Sequence, residues 1–193
     1  MASRPMHDDD DLTLLHRIVA KDRQAFETLY YRYARRLYGY LAKLLTQPEV
    51  IEEVVDDVMF VVWQQAARFD HTSRLSTWIF GIAYHKALKA RARAGHTPPT
   101  VPAEEPQESP EGAMTRHELR ATVVQALDTL SPQHRAIVEL AFYHEHSYQE
   151  IAVMTGCPVN TVKTRMLHAR QRLAQVLAAW GPRRAAGEGK TAP

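Results

Sequence analysis

Apolar residues in the N-terminal part of the chain recur every three to four positions, which is the spacing of an amphipathic helix. A first stripe consists of Leu12, Leu15, Ile18 and Val19. Asp22 follows this stripe and is a residue type favoured at helix N-caps. A second stripe runs through Phe26, Leu29, Tyr33, Leu37, Leu41 and Leu44. The pattern predicts two consecutive helices that meet at Asp22.

A third helix is predicted from Pro48, a residue suited to the first turn, to about Ala67. Its apolar positions are Ile51, Val54, Val55, Val58, Phe60, Val61 and Val62. The many β-branched residues lower helix propensity, so a strand over 58–63 is the alternative. We favour a helix because four acidic residues share a face opposite much of the apolar set, namely Glu52, Glu53, Asp56 and Asp57.

Residues 68–75 are predicted to form a loop, after which Ser76 caps a fourth helix. The aromatic residues Trp78, Phe80 and Tyr84 are followed in that helix by His85, Lys86, Lys89, Arg91 and Arg93. Cations beside aromatic rings suit single-stranded nucleic acid, whose phosphates pair with the cations and whose bases stack on the rings. Aromatic residues at helical spacing also form cores, and we expect Trp78 and Phe80 to do so.

Capping and helix-breaking residues divide the C-terminal part of the chain into four helices. Their predicted extents are 115–129, 132–143, 148–155 and 158–180. Ser131 is the expected N-cap of the second helix, and Ser147 with Glu150 forms an S-x-x-E capping box for the third. We expect Gly181 and Pro182 to end the last helix.

The last two of these helices fit a helix-turn-helix. Ala152 is small where two helices must approach, Gly156 can adopt a left-handed corner, and Val162 can lock the second helix on the first. No acidic residue lies between 159 and 184, whereas a merely solvated helix usually mixes both signs. DNA binding is therefore favoured over a plain helical hairpin.

A proline-rich acidic segment, 94–114, separates the two helical parts and predicts a flexible linker. It holds five of the eleven prolines and four acidic residues without Lys or Arg. Residues 1–93 carry 14 basic and 12 acidic groups, and residues 115–184 carry nine basic and five acidic groups. The acidic linker thus offsets the positive charge of two mildly basic domains, so the net charge of the whole chain is only +2. The predicted fold class is all-α, with two small helical domains.

Several function classes are disfavoured by composition. Cys157 is the only cysteine, so neither an internal disulfide nor a multi-cysteine zinc site is possible, although a minor redox-sensing role for its thiol stays open. His144 and His146 are read as polar surface residues rather than metal ligands, and no cofactor is expected. The acidic N-terminus does not resemble a secretory signal, and no apolar run spans a bilayer, so we expect a cytoplasmic protein.

Four stretches together resemble the extracytoplasmic-function (ECF) sigma factors of bacterial RNA polymerase. They are DRQAFETLYYRYARRLYGYL, EEVVDDVMFVVWQQAARFD, STWIFGIAYHKALKARAR and the segment from LSPQHRAIVEL to LHARQRL. The third contains the pattern S/T-W-L/I-x-x-I-A, and the fourth contains P-x-x-T-V-K-S/T-R. The resemblance covers about residues 11–178, apart from the linker.

The resemblance implies a domain over 11–93 that binds core RNA polymerase and melts the minus-ten promoter element. It also implies a four-helix domain over 115–180 that binds the minus-thirty-five element, joined to the first by the linker 94–114. The implied partners are the largest-subunit clamp helices and the flap of core RNA polymerase, promoter DNA and an anti-sigma factor, with no small-molecule substrate. The implied activity is promoter selection, so no enzymatic chemistry is expected.

The same resemblance implies three sets of site residues. The polymerase-binding set is Glu52, Glu53, Asp56, Asp57 and Phe60, where Asp56 and Asp57 replace the common Gln and Glu. The minus-ten set is His71, Ser73, Arg74, Trp78, Tyr84, Lys86, Lys89, Arg91 and Arg93. The minus-thirty-five set is Asn160, Thr161, Lys163, Thr164, Arg165, Leu167, His168 and Arg170, where His168 replaces a common Arg.

The alternative function is a two-domain helix-turn-helix regulator that binds duplex DNA as a dimer and does not dock on polymerase. We rank this alternative lower because the sequence shows neither a long dimerisation heptad nor the signature of a ligand pocket.

Overall fold

The structure is a computed structural model that describes residues 7–94 and 121–185, with side chains described over 10–93 and 121–178. The first block comprises α1 (His7–Val19), α2 (Arg23–Leu41), α3 (Pro48–Gln65), a short 3-10 helix (Ala66–Arg68) and α4 (Leu75–Ala94). The second comprises α5, helical over 121–128, α6 (Pro132–Phe142), α7 (Tyr148–Thr155) and α8 (Val159–Ala185). Neither described range contains a strand, which confirms the all-α class and excludes the strand over 58–63.

The turn between α1 and α2 forms as the sequence predicts. Asp22 caps α2, its Oδ1 accepting hydrogen bonds from the backbone N–H of Gln24 at 2.9 Å and of Ala25 at 3.1 Å. These bonds and the Arg17 guanidinium lower the pKa of Asp22. The predicted stripe on α1 is wrong at its end, because Val19 is 42% exposed while Leu14 is buried.

The core of the first block lies between α1, α2, α3 and α4. Leu29, Tyr33 and Leu37 of α2 are fully buried there, as the apolar stripe predicts. One carboxylate is buried with them: Asp11 accepts hydrogen bonds from Arg32 and from the Tyr33 hydroxyl. The buried acid is therefore paired and hydrogen-bonded, as its desolvation requires.

The start of α4 differs from the prediction. The helix begins at Leu75, and the backbone N–H of Trp78 donates to the carbonyl of Arg74 at 3.2 Å. Ser76 is buried in the first turn instead of capping it. Of the predicted linker, residue 94 ends α4, and residues 95–114 lie outside the described residues, as do 115–120 of the next predicted helix.

The second block confirms the predicted caps. Ser131 caps α6, Ser147 and Glu150 form the reciprocal capping box of α7, and Gly156 ends α7 with φ of 64°. Ala152 and Val162 are buried between the helices, so the helix-turn-helix packs as its spacing indicates. The predicted end of α8 is wrong, because the helix continues through Gly181 and Pro182 to Ala185.

The two blocks lie against each other through α4 and α7. Within the described residues, the contact between these helices is as extensive as that of any helix pair inside either block. The seam between the blocks is defined here by Arg74, Thr77, Phe80, Gly81 and Tyr84 on one side and by His144, His146, Glu150, Met154 and Arg165 on the other.

Candidate functional surfaces

The acidic face of α3 is open to solvent, as the sequence predicts. Glu52, Glu53, Asp56 and Asp57 are exposed, and Phe60 is 57% exposed beside them. The Tyr30 hydroxyl donates to Asp56 Oδ1 at 2.8 Å, and this bond raises the pKa of Tyr30. An exposed aromatic ring next to carboxylates suits a protein partner that is basic and partly apolar.

A groove of about 550 Å³ borders this acidic face between α2 and α3. Its α2 wall includes Tyr30, Arg35 and Tyr38, and its α3 wall includes Glu52 and Asp56. The α2 residues are absent from the sequence-predicted site. Tyr38 is 38% exposed, and an aromatic residue on the polar face of an amphipathic helix is the signal that could have identified this wall.

The loop before α4 is held by a local turn. Asp70 accepts from the backbone N–H of Thr72 at 3.0 Å and from its hydroxyl at 2.8 Å, which lowers the pKa of Asp70. His71 has φ of 58°, is exposed, and packs edge-to-face against Phe69 with ring centroids 4.8 Å apart. Ser73 is half-buried. The turn therefore presents the His71 ring on the surface.

The predicted minus-ten residues on α4 fall into two groups: some pack inside the protein and others are exposed. Trp78 is half-buried on Phe69, Phe80 is fully buried, and Tyr84 is 3% exposed. Lys89 and Arg93 are exposed. Phe80 is therefore a core residue as predicted, whereas Tyr84 is enclosed despite its place in the candidate DNA-binding set.

Two cations of α4 are already paired within the block. Lys86 Nζ lies 2.7 Å from Asp57 Oδ2, which links the candidate minus-ten set to the acidic face of α3. Arg91 donates to the backbone carbonyl of Leu44 at 3.0 Å and so holds the turn after α2 against α4. Arg91 therefore has a structural contact that its place in a basic run does not reveal.

Helix α8 presents most of the predicted minus-thirty-five residues to solvent. The exposed ones are Asn160, Lys163, Thr164, Leu167, His168 and Arg170, while Thr161 and Arg165 are half-buried. The Thr164 hydroxyl donates to the carbonyl of Asn160 at 2.9 Å. The Arg170 guanidinium lies 5.8 Å from the centre of the Phe142 ring, a cation–π arrangement that orients it.

The prediction that His144 and His146 are surface residues is wrong for His146, which is 5% exposed, and His144 is half-buried beside it. Both rings pack on Phe80, with centroids 4.5 Å and 5.6 Å away. Burial lowers the pKa of each imidazole from 6.5 to about 4. Residues from the other block enclose them, and a sequence pattern cannot show such an environment.

Residues 7–94 and 121–185 contain neither a candidate metal site nor a membrane-spanning helix. No group of three or more His, Cys, Asp or Glu residues in these ranges could hold a metal ion. No helix there is long and apolar enough to cross a bilayer.

Comparison with known proteins identifies the family. Residues 29–97 match the family model of Sigma-70 region 2, and residues 120–173 match that of Sigma-70, region 4. The chain is also 31% identical over 160 residues to the ECF RNA polymerase sigma factor RpoE of Cereibacter sphaeroides, a match that covers 80% of this chain and 87% of the relative. The chain belongs to the ECF RNA polymerase sigma factors.

Other relatives agree with this assignment of the sigma factor. It is 28% identical over 182 residues to the RNA polymerase sigma-H factor of Pseudomonas aeruginosa, with 88% of this chain and 94% of the relative covered. It is 27% identical over 176 residues to the ECF RNA polymerase sigma-E factor of Escherichia coli. Its function is therefore that of an ECF sigma factor, which directs RNA polymerase to initiate transcription at particular promoters.

Two solved structures share the fold of this sigma factor. One is CnrH in complex with the cytosolic domain of CnrY, with a TM-score of 0.66, 23% identity, and coverage of 88% of this chain and 97% of that chain. The other is the sigma factor RpoE in complex with the anti-sigma factor NepR from Bartonella quintana, with a TM-score of 0.61, 23% identity, and coverage of 79% and 96%. At this identity the likeness supports the two-domain helical fold.

Proposed function

We propose that residues 11–93 dock this sigma factor on core RNA polymerase and capture the melted minus-ten element, while residues 115–180 read the minus-thirty-five element as duplex. The order of the two family regions along the chain is the observation that carries this division. Polymerase makes the RNA bonds and this chain selects where they begin, so it has no enzymatic role of its own. We expect it to act in the cytoplasm, with polymerase.

The acidic face of α3 supports docking on a basic surface of polymerase, the clamp helices of its largest subunit. Four exposed carboxylates there attract cations, and Phe60 adds an apolar anchor that desolvation would favour. We place the groove between α2 and α3 in the same docking surface, because Glu52 and Asp56 belong to both.

The loop at His71 and the exposed cations of α4 support capture of a single strand. We propose that His71 and Ser73 contact a base extruded from the melted duplex, which is read by its edge. Lys89 and Arg93, both exposed, would follow the phosphates. Arg74, Trp78, Tyr84, Lys86 and Arg91 belong to the same proposed surface, although each has a contact within the protein in this structure.

The first turns of α8 support duplex reading. Lys163, Thr164, Leu167 and His168 lie exposed on one helix that follows a Gly156 corner, so they can enter a major groove. Arg165 and Arg170 would hold phosphates beside them. We assign contact with the polymerase flap to the same C-terminal domain.

We also propose that an anti-sigma factor holds this chain inactive. The sigma factor RpoE of Bartonella quintana, which shares its fold, is seen in complex with the anti-sigma factor NepR. No cofactor is required for any of these interactions.

Run-off transcription with purified core RNA polymerase and a promoter library tests the proposed function. We expect specific transcripts that depend on this chain. Asp56→Lys with Asp57→Lys should abolish association with core polymerase, because reversed charges would face a basic partner. Lys86→Ala is the matched control, since it breaks the same Asp57–Lys86 ion pair but leaves both carboxylates.

Three outcomes would contradict the proposal. Core association that survives the double reversal would show that α3 is not the docking element. An equal loss in Lys86→Ala would assign the effect to folding. A footprint on duplex DNA without polymerase, together with failure to bind core, would favour the alternative of an independent regulator.

A further inference from the structure

A pair of histidines from two helices lies beside the candidate duplex-reading surface of α8. His168 is one of the exposed residues of that surface, whereas His134 belongs to the first turn of α6, outside the predicted set. Their ring centroids are 6.2 Å apart, with the ring planes at 71° to each other. A side chain of α6 therefore borders the surface that α8 presents.

The His134 ring is held by the residue that caps its own helix. Ser131 Oγ accepts the backbone N–H of His134 at 3.4 Å, and the same oxygen lies 2.7 Å from Nδ1 of the ring. Because this oxygen accepts from the backbone, its hydroxyl proton can be donated to Nδ1, which places the proton of the neutral imidazole on Nε2. Nε2 has no hydrogen-bond partner among the described residues, so this half-buried ring offers one N–H donor to an outside partner.

The charges around His134 suit an anionic partner. Partial burial lowers the pKa of His134 from its ordinary 6.5, and the charges of His168 and Arg165 on α8 lower it further. No acidic residue lies between 159 and 184, so the rest of α8 supplies no carboxylate to neutralise these cations. Cations gathered in this way repel one another, and an anion placed beside them would relieve that repulsion.

A metal ion fits the two imidazoles less well than an anion does. Zinc sites in proteins use at least three protein ligands. Within 7–94 and 121–185, no group of three or more His, Cys, Asp or Glu residues could hold a metal ion. The Arg165 guanidinium, whose charge acts on His134, would also repel a cation. The chemistry of the pair therefore favours a phosphate over a metal.

The position of His134 matches the flank of a helix that enters DNA. A helix with its side chains is about 10–12 Å across and the major groove is about 12 Å wide, so α8 would fill the groove between two phosphate backbones. The His134 ring belongs to the helix that packs on α8, at the side of His168. We propose that His134 is a further DNA contact of this sigma factor, donating from Nε2 to a phosphate at the edge of the groove that α8 reads. This inference rests on the proposed function, which places α8 in that groove.

Such a contact would couple promoter binding to protonation of His134. A phosphate beside the ring stabilises its protonated form, so the pKa of His134 would be higher in the complex than in the free protein. Binding would then take up a proton and would strengthen as the pH falls through the pKa of the complex. His168 lies on the same surface and also titrates, so variants of His134 are needed to isolate its share.

Filter binding of the polymerase–sigma complex to a promoter duplex recovered from the library tests this contact at pH 6, 7 and 8. At pH 6, His134→Ala should weaken binding about 3–10-fold, the loss expected for one hydrogen bond to phosphate. His134→Gln keeps a neutral donor, so it should recover part of the affinity at pH 8 but lose the strengthening at pH 6. Both variants keep the Ser131 cap of α6, because that bond uses the backbone N–H.

Salt dependence and promoter sequence distinguish a phosphate contact from a structural role. At pH 6, the log–log slope of binding against salt should be steeper for the unmodified chain than for His134→Ala by up to about 0.9, with little difference at pH 8. The His134→Ala loss should be the same on matching and scrambled minus-thirty-five elements, because phosphates carry no sequence information. The matched control is Gln175→Ala, an exposed neutral residue further along α8, which should change neither affinity nor slope.

The outcomes separate this contact from the proposed function. Lack of transcription by the unmodified chain with core polymerase would overturn the function. With transcription intact, the His134 contact is overturned if His134→Ala binds within about twofold of the unmodified chain at pH 6. Equal salt slopes of the two chains at pH 6, or a loss confined to the matching element, would also overturn it.

Discussion

Helices α4 and α8 both carry candidate DNA contacts, but they differ in what the rest of the protein does with them. On α8, Lys163, Thr164 and His168 are exposed, so the candidate duplex-reading surface is open to solvent in this structure. On α4, Tyr84 is buried and Arg91 holds a backbone carbonyl. The surface proposed to capture a single strand is therefore largely committed to packing.

The difference follows from the position of each helix. The first turns of α8 lie at the surface of the second block, with one face packed through Val162, Met166 and Ala169. Helix α4 packs on α3 on one side and on α7 on the other, so most of its length has a neighbour. The exposure of α8 therefore follows from its place at the edge of its block, and the enclosure of α4 follows from its place between two neighbouring helices.

The largest expected effect is on the free energy of unfolding, which should respond differently to substitutions on α4 and on α8. Phe80→Ala on α4 should lower the free energy of unfolding by about 3–5 kcal/mol, because it removes a fully buried ring from the core. Leu167→Ala on α8 should change it by less than about 0.5 kcal/mol, since Leu167 is 53% exposed. Urea unfolding of the two variants measures this difference in unfolding free energy. Similar losses of stability in both variants would contradict the expected difference between α4 and α8.

The next effect concerns binding by α8. Lys163→Ala should weaken binding of the polymerase–sigma complex to the minus-thirty-five element by about 1–3 kcal/mol if it contacts a base edge. Arg172→Ala, an exposed cation further along the same helix, should cost less. Filter binding at several salt concentrations separates base reading from phosphate contact. Loss of a phosphate contact would lower the dependence of the binding constant on salt concentration by about one unit of slope on a log–log plot. A larger loss of binding in Arg172→Ala than in Lys163→Ala would show that the reading surface has been assigned to the wrong part of α8.

A smaller effect is expected from pH. Because burial keeps His144 and His146 neutral and lowers each pKa to about 4, their stabilising contribution is complete above pH 6.5 and is lost as the pH falls towards 4. The free energy of unfolding should therefore fall by up to roughly 1 kcal/mol per histidine between pH 6.5 and 5.5.

The groups around the two histidines define the control for this pH effect. Arg36 and Arg74 add to the cost of protonation and Glu150 opposes it. Glu139, whose pKa burial raises, shifts stability in the opposite direction, because a raised carboxyl pKa favours the folded state as the pH falls. His144→Gln with His146→Gln keeps Glu139 and should flatten the pH dependence. An unchanged dependence in that variant would assign it to other groups.

The smallest effect belongs to the ion pair of the seam. A double-mutant cycle of Arg74→Ala and Glu150→Gln should give a coupling free energy of about 1 kcal/mol, since the pair is only partly buried. Glutamine at 150 preserves the capping-box geometry, so the cycle isolates the charge. A coupling of zero would show that this pair does not help to hold α4 against α7.

Local signals allowed the helix boundaries to be predicted closely. Asp22, Ser131, Ser147 and Gly156 act within a few residues of themselves, through side-chain bonds to backbone N–H groups or through a left-handed φ. One error arose where packing overrode local preference, since Ser76 is buried in the first turn of α4. The other is at the end of α8, which continues past Gly181 to Ala185.

The candidate site was predicted in part. The acidic face of α3 and the outward face of α8 follow from helical periodicity, and both are exposed as expected. The α2 wall of the groove and the enclosure of Tyr84 were not foreseen. Each depends on which helix lies opposite, and the spacing of residues within one helix does not specify its neighbour.

The amino-acid sequence alone determined that this protein is helical, where most helices begin, and that a helix-turn-helix carries its basic surface, because periodicity, caps and charge act over short distances. Tertiary structure alone decided that His146 is buried, that Lys86 meets Asp57 and that Arg74 meets Glu150. The last pair joins residues 76 positions apart. Such contacts depend on how whole helices dock, and the free energy of docking is a sum over many side chains that no single motif reveals.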